Sequence, residues 1–124
     1  MMFVEQGLMS KQDVDEVGDI LLKAAADIEM NGWCKHSFFD NGASCAEGAI
    51  MRAVGRSLCY TYEDKNGVAQ CGVSLPGYLE RRAHDRLLKY VNLPLVDMVR
   101  VWNDIYAKSE WDVVQTMREA AYAK

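Results

Sequence analysis

Apolar residues recur three and four positions apart at the start of this chain: Val14, Val17, Leu21, Ala24 and Ile28, widened by Ile20 and Ala25. That period lines one face of a helix from about Lys11 to Met30. Asn31-Gly32 stops it, Gly32 being suited to the left-handed position after the helix and Trp33 to packing back on Ile28. A second periodic stretch, Cys45 to Val54, turns Ala46, Ala49, Ile50, Ala53 and Val54 inward and halts at Gly55. Gly48 in its interior costs about 1 kcal/mol relative to Ala. Its presence implies close approach of a neighbouring backbone, with Gly18 or Ala25 of the first helix as the expected contact. A third helix follows Pro76, carries Leu79, Ala83, Leu87 and Val91 inside, and ends near Asn92. A fourth starts at Pro94, with Leu95, Met98, Val99, Trp102, Ile105 and Tyr106 on its face. The fifth buries Val113, Val114, Met117, Ala120 and Ala121.

Three capping boxes mark helix starts. Ser10–Asp13, Ser44–Glu47 and Ser109–Asp112 each place a hydroxyl three residues before an acid and next to an apolar run. In such a box the hydroxyl accepts from the N3 amide and the acid reaches back to the cap amide. Two hairpins interrupt the helices. Asp40-Asn41-Gly42 suits a type I′ turn that sets Phe38 against Cys45 and Phe39 against Ser44. Residues 58–73 alternate apolar and polar about Asn66-Gly67, a register that sets Tyr62 against Cys71 and Tyr60 against Val73. An isolated two-stranded hairpin is marginal in water, so this one is expected to lie against the helices.

The expected fold is mainly α: a single-domain bundle of about five helices over residues 1–124, with one or two short β-hairpins and a loose arm at 1–9. A chain of 124 residues, half of them hydrophobic, suffices for one such core. No window approaches the run of about 18 apolar residues that a membrane span needs. No secretory signal is visible, which makes the cytoplasm the default location and reduced thiols, mostly buried, the expected state of Cys34, Cys45, Cys59 and Cys71. The three tryptophans, Trp33, Trp102 and Trp111, are expected to be buried or half-buried. A formal charge of −4 argues against nucleic acid as a partner.

Two blocks, Gly32 to Ile50 (GWCKHSFFDNGASCAEGAI) and Val101 to Ala121 (VWNDIYAKSEWDVVQTMREAA), resemble a family of short uncharacterised actinobacterial and actinophage proteins. The matching positions are Gly32, Trp33, Phe38 or Phe39, Cys45, Ala46, Gly48, Ala49, Trp102, Asn103, Asp104, Ser109, Val113 and Val114. The resemblance implies an origin in an actinobacterium or its phage and implies no activity.

Candidate chemistry is sparse. Cys45 stands at a helix start, where thiol pKa values fall, and His36 on the approaching segment could serve as its base with Asp104 as a third group. Cys34, His36, Cys45 and one of Cys59 or Cys71 could ligate zinc, although the short chelating spacings are missing. Trp102-Asn103-Asp104 reads either as a recognition element or as a structural anchor. Arg82, Arg86 and Lys89 share one face of the helix at 78–91, read as a solvated face and, as an alternative, as a DNA contact. The chain is therefore expected to be a non-enzymatic intracellular module, phage-encoded and without cofactor. Its expected partner is a protein, either a host protein or a second copy in a homodimer. Trp102, Asn103, Asp104, Arg82 and Arg86 are the candidate contacts. The alternative is a small Cys/His enzyme or metal protein.

Overall fold

The computed structural model describes residues 14–123. Helix α1 (Glu16–Asn31) is capped by Asp15, whose carboxylate accepts the Gly18 amide at 2.8 Å. It thus begins at Glu16 rather than near Lys11, and the Ser10–Asp13 box lies outside the described residues. The expected apolar face is buried from Val17 to Ile28. Gly32 ends the helix at φ +101, ψ 165. That conformation is open essentially to glycine alone, and it is extended rather than the expected left-handed turn. The extended backbone carries Trp33 alongside Ser44, with which it forms a parallel bridge.

Strands β1 (Phe39–Asp40) and β2 (Ala43–Ser44) pair as expected, Phe39 with Ser44 and Asp40 with Ala43. Asn41 (φ +50) and Gly42 (φ +91) form the turn. Helix α2 (Ala46–Ala53) comes directly after β2, and its cap corrects the sequence reading. The capping atom is the Cys45 sulfur, which accepts from the Gly48 amide at 3.3 Å. Ser44 is instead fully buried in β2, and its hydroxyl has no hydrogen-bond partner among the described residues. Pairing with β1 has claimed Ser44 as a strand residue and displaced the cap by one position. Gly48 does meet a close neighbour, but not a helix: a Cβ there would lie 2.5 Å from the Phe38 carbonyl oxygen. Gly18 packs elsewhere, against the Ala121 carbonyl.

After α2 come strands β3 (Cys59–Glu63) and β4 (Ala69–Val73), then α3 (Tyr78–Val91), which ends on left-handed Asn92. The fourth helix departs from expectation. Leu95 is fully exposed at φ +66, and regular helix begins only at α4 (Val99–Val101), which runs into one π-helical turn over Trp102–Tyr106. Helix α5 (Glu110–Tyr122) is capped by Ser109, which accepts from Asp112 at 3.1 Å. The Asp112 carboxylate reaches back to the Lys108 amide, one residue beyond the usual box. All five predicted inward residues of α5 are buried. Trp111 is exposed instead, because it stands on the face opposite Val113 and Met117.

Helix α1 packs against α5, α2 and α3 and so occupies the middle of a mainly α bundle with two small antiparallel sheets. No helix among the described residues is long and apolar enough to cross a membrane.

Candidate functional site

The Trp102-Asn103-Asp104 element lies in the π turn, closed by a hydrogen bond from the Ala107 amide to the Trp102 carbonyl at 2.9 Å. The wider turn puts Ala107, not Ile105 or Tyr106, on the same side as Trp102. Trp102 and Ala107 are accordingly buried, whereas Ile105 and Tyr106 face out. Such turns are frequent at functional sites because they re-aim side chains. Here the turn aims Asn103 inward, where it is fully buried. Its carboxamide oxygen accepts from the Trp33 indole at 2.7 Å and from the Ala46 amide at 2.9 Å. Its nitrogen donates to the Cys34 carbonyl at 3.1 Å and to the Asp104 carboxylate at 2.9 Å. All four hydrogen-bonding positions of the side chain are filled by the protein.

Asp104 also accepts from the His36 amide at 2.9 Å and faces the His36 imidazole at 3.7 Å. These contacts hold His36 at φ +67. Burial pushes the Asp104 carboxyl up. The His36 amide, the Asn103 carboxamide and the charges of His36 and Arg100 outweigh it and leave the group below its usual range. Cys45 does not fit the nucleophile reading. Burial pushes its thiol up to about 11, against the lowering by the Gly48 and Glu47 amides. The Cys34 thiol is raised as well, first by burial. Cys34, His36 and Cys45 are not a ligand set either. Among the described residues no group of three or more His, Cys, Asp or Glu side chains is placed to hold a metal ion.

The basic face of α3 is only partly free. Arg86 grips Asp15 through two contacts of 2.6 Å and so ties α3 to the start of α1. Arg82 lies over the Tyr78 ring at 5.5 Å, and Lys89 is exposed. On another side of the same helix stands a feature the sequence reading missed. Glu80 is 1% exposed and meets Arg56 in a bidentate pair of 2.6 and 2.7 Å. Arg56 also donates to the Ser74 carbonyl at 2.8 Å, which fastens the end of β4 to the bundle.

The β3–β4 hairpin overturns its expected placement twice. Its register pairs Cys59 with Val73, Thr61 with Cys71 and Glu63 with Ala69, one residue away from the expected alignment. The cause is Asp64. Its carboxylate accepts from the Asn66 and Val68 amides at 2.9 and 3.0 Å, while its carbonyl accepts from Gly67. This is a type I turn with Gly67 left-handed (φ +77) behind it, a three-residue loop rather than the two-residue loop that Asn66-Gly67 suggested. The second departure is exposure. Every strand residue except Gly72 is exposed, and among the described residues neither strand packs extensively on a helix. Tyr60 and Tyr62 sit side by side, ring centroids 5.8 Å apart, with the Tyr60 ring covering Gly72. Leu58, Val73, Leu75 and Tyr78 are also exposed near the hairpin base. Alternation alone could not distinguish a docked hairpin from a projecting one.

Comparison with known proteins yields a family and no activity. No curated protein and no solved structure shows a significant match. Residues 12–123 match DUF6197, described as a family of unknown function, and over nearly its whole length the chain belongs to that family.

Proposed function

We propose that this protein is a non-enzymatic protein-interaction module that engages its partner through the β3–β4 hairpin. The observation that carries the reading is a two-stranded hairpin exposed on both faces and, among the described residues, held to the bundle only at its base, where Arg56 grips the Ser74 carbonyl. Such a hairpin is marginal alone in water, and a partner that pairs with an edge or covers the tyrosines supplies the missing support. Both edges present unpaired backbone groups, and neither strand contains the lysine or proline that commonly blocks pairing. Tyrosines at the centre of the patch are the residue type that anchors protein interfaces.

A protein partner also suits the charge. The net −4 opposes phosphate binding, and Arg86 is already committed to Asp15. Burial of Cys45, whose thiol is pushed up to about 11, disfavours it as a nucleophile and supports the non-enzymatic reading. Following the resemblance to actinobacterial and actinophage proteins, the reading takes the partner as a host protein met in the cytoplasm.

The test compares the full chain with a Tyr60→Ser, Tyr62→Ser variant in affinity capture from an actinobacterial lysate, with cross-linking to locate the contact. The expected result is a retained protein that cross-links to residues 58–75 and is lost from the variant at unchanged melting temperature. Equal retention by the variant, or cross-links confined to the helices, overturns the hairpin as the binding element.

A further inference from the structure

The one-residue change of hairpin register moves two thiols onto the same face. In the alignment centred on Asn66-Gly67, Cys59 and Cys71 would point to opposite sides of the sheet. In the observed register Cys59 faces Val73 and Thr61 faces Cys71, so residues 59, 61, 71 and 73 share one side. Cys59 and Cys71 are then diagonal neighbours, and both are exposed.

We propose that Cys59 and Cys71 form a reversible disulfide across the hairpin, a redox modification site at the part of the molecule that projects from the bundle. Diagonal neighbours on one face lie about 7–8 Å apart, with their Cβ atoms closer. A disulfide tolerates a Cα separation of up to about 7 Å. The neighbouring Cys59 is the first cause that pushes the Cys71 thiol up. A two-stranded ribbon twists more freely than a wider sheet, and among the described residues no third strand or helix opposes the small shear that closure needs. Beside the two cysteines the same face carries their pairing partners Thr61 and Val73, and both thiols are exposed among the described residues, open to a small oxidant.

The oxidant is a low-molecular-weight disulfide of the glutathione class. The Cys59 thiolate attacks one of its sulfurs, forms a mixed disulfide and releases the other half as a thiolate. Cys71 then gives its proton to solvent and attacks the Cys59 sulfur, which expels the second half. Two protein thiols are oxidised to one disulfide, and one small disulfide is reduced to two thiols. Cys45 takes no part because it is buried in the bundle, and Cys34 stands beside the β1–β2 segment.

The full chain is incubated with oxidised glutathione, quenched with an alkylating reagent, denatured, alkylated again and digested with trypsin. Cleavage after Arg56, Lys65 and Arg81 separates Ser57–Lys65, which carries Cys59, from Asn66–Arg81, which carries Cys71. The expected product is these two peptides linked, with Cys34 and Cys45 alkylated, and dithiothreitol restores four alkylated thiols. A Cys71→Ser variant should instead retain glutathione on Cys59, since nothing resolves the mixed disulfide. The inference is overturned by wild-type chain that carries glutathione at both positions without a link, by links that involve Cys34, or by four alkylated thiols after oxidation.

Discussion

Asn103 accepts the indole N–H of Trp33 at 2.7 Å from seventy residues along the chain, and the same oxygen accepts the first amide of α2. One carboxamide thus joins the segment after α1, the start of α2 and the π turn.

Replacing Asn103 by Ala should therefore destabilise the fold by about 3–5 kcal/mol. The substitution leaves the Trp33 and Ala46 donors and the Cys34 carbonyl without their partner, and each buried unpaired group costs about 1–3 kcal/mol. Trp33→Phe removes one donor and should cost about 1–2 kcal/mol. Urea midpoints of the two variants check the ratio. A loss under 1 kcal/mol for Asn103→Ala would deny the side chain its joining role.

What the sequence made legible, and what it hid, divide along a physical line. The inward faces of α1, α2, α3 and α5 follow from local period alone, as does the Asn41-Gly42 turn, whose two residues must take positive φ. The failures came where a tertiary partner overrode a local signal. Ser44 lost its cap role to strand pairing, and Glu80 is buried only because Arg56, 24 residues earlier, meets it. The Asp64 carboxylate, rather than Asn66-Gly67, decided the hairpin register. Trp102-Asn103-Asp104 was visible as a distinctive polar element, but its partners at Trp33, Cys34 and His36 are far away in sequence and follow no period.

The two serines of the described capping boxes should behave oppositely. Ser109→Ala removes a hydroxyl that accepts from Asp112 and should cost about 1 kcal/mol. Ser44→Ala removes a buried hydroxyl without a partner among the described residues, and should leave stability unchanged or raise it. Denaturant midpoints measured side by side decide the matter, and equal losses would restore Ser44 as a cap.

For the buried pair, breaking it should hurt more than deleting it. Arg56→Ala leaves the Glu80 carboxylate buried without its bidentate partner and should cost about 3–5 kcal/mol. The double variant Arg56→Leu, Glu80→Leu removes both charges and should lie closer to wild type than the Arg56→Ala single variant. A double variant less stable than that single variant would show that the pair itself carries net stability.

The Cys45 thiol makes stability fall at alkaline pH. In the unfolded chain a cysteine ionises near pH 8.5. In the folded protein burial pushes this thiol up to about 11, so the native state holds its proton through a range where the unfolded state has lost it. Fewer protons bound in the unfolded state means that stability decreases as pH rises. The contribution is complete below about pH 8.5 and is lost between there and about 11, an amount on the order of 3 kcal/mol. Tyrosines also ionise in this range, so the measurement is a difference: urea midpoints of wild type and Cys45→Ala from pH 8 to 11. The variant loses the Gly48 cap and some packing at every pH, which offsets its curve by a constant. Above pH 8.5 the two curves should converge as wild type alone loses the Cys45 contribution. Parallel curves would mean that Cys45 titrates as it does in an unfolded chain, and would return it to consideration as an accessible thiolate.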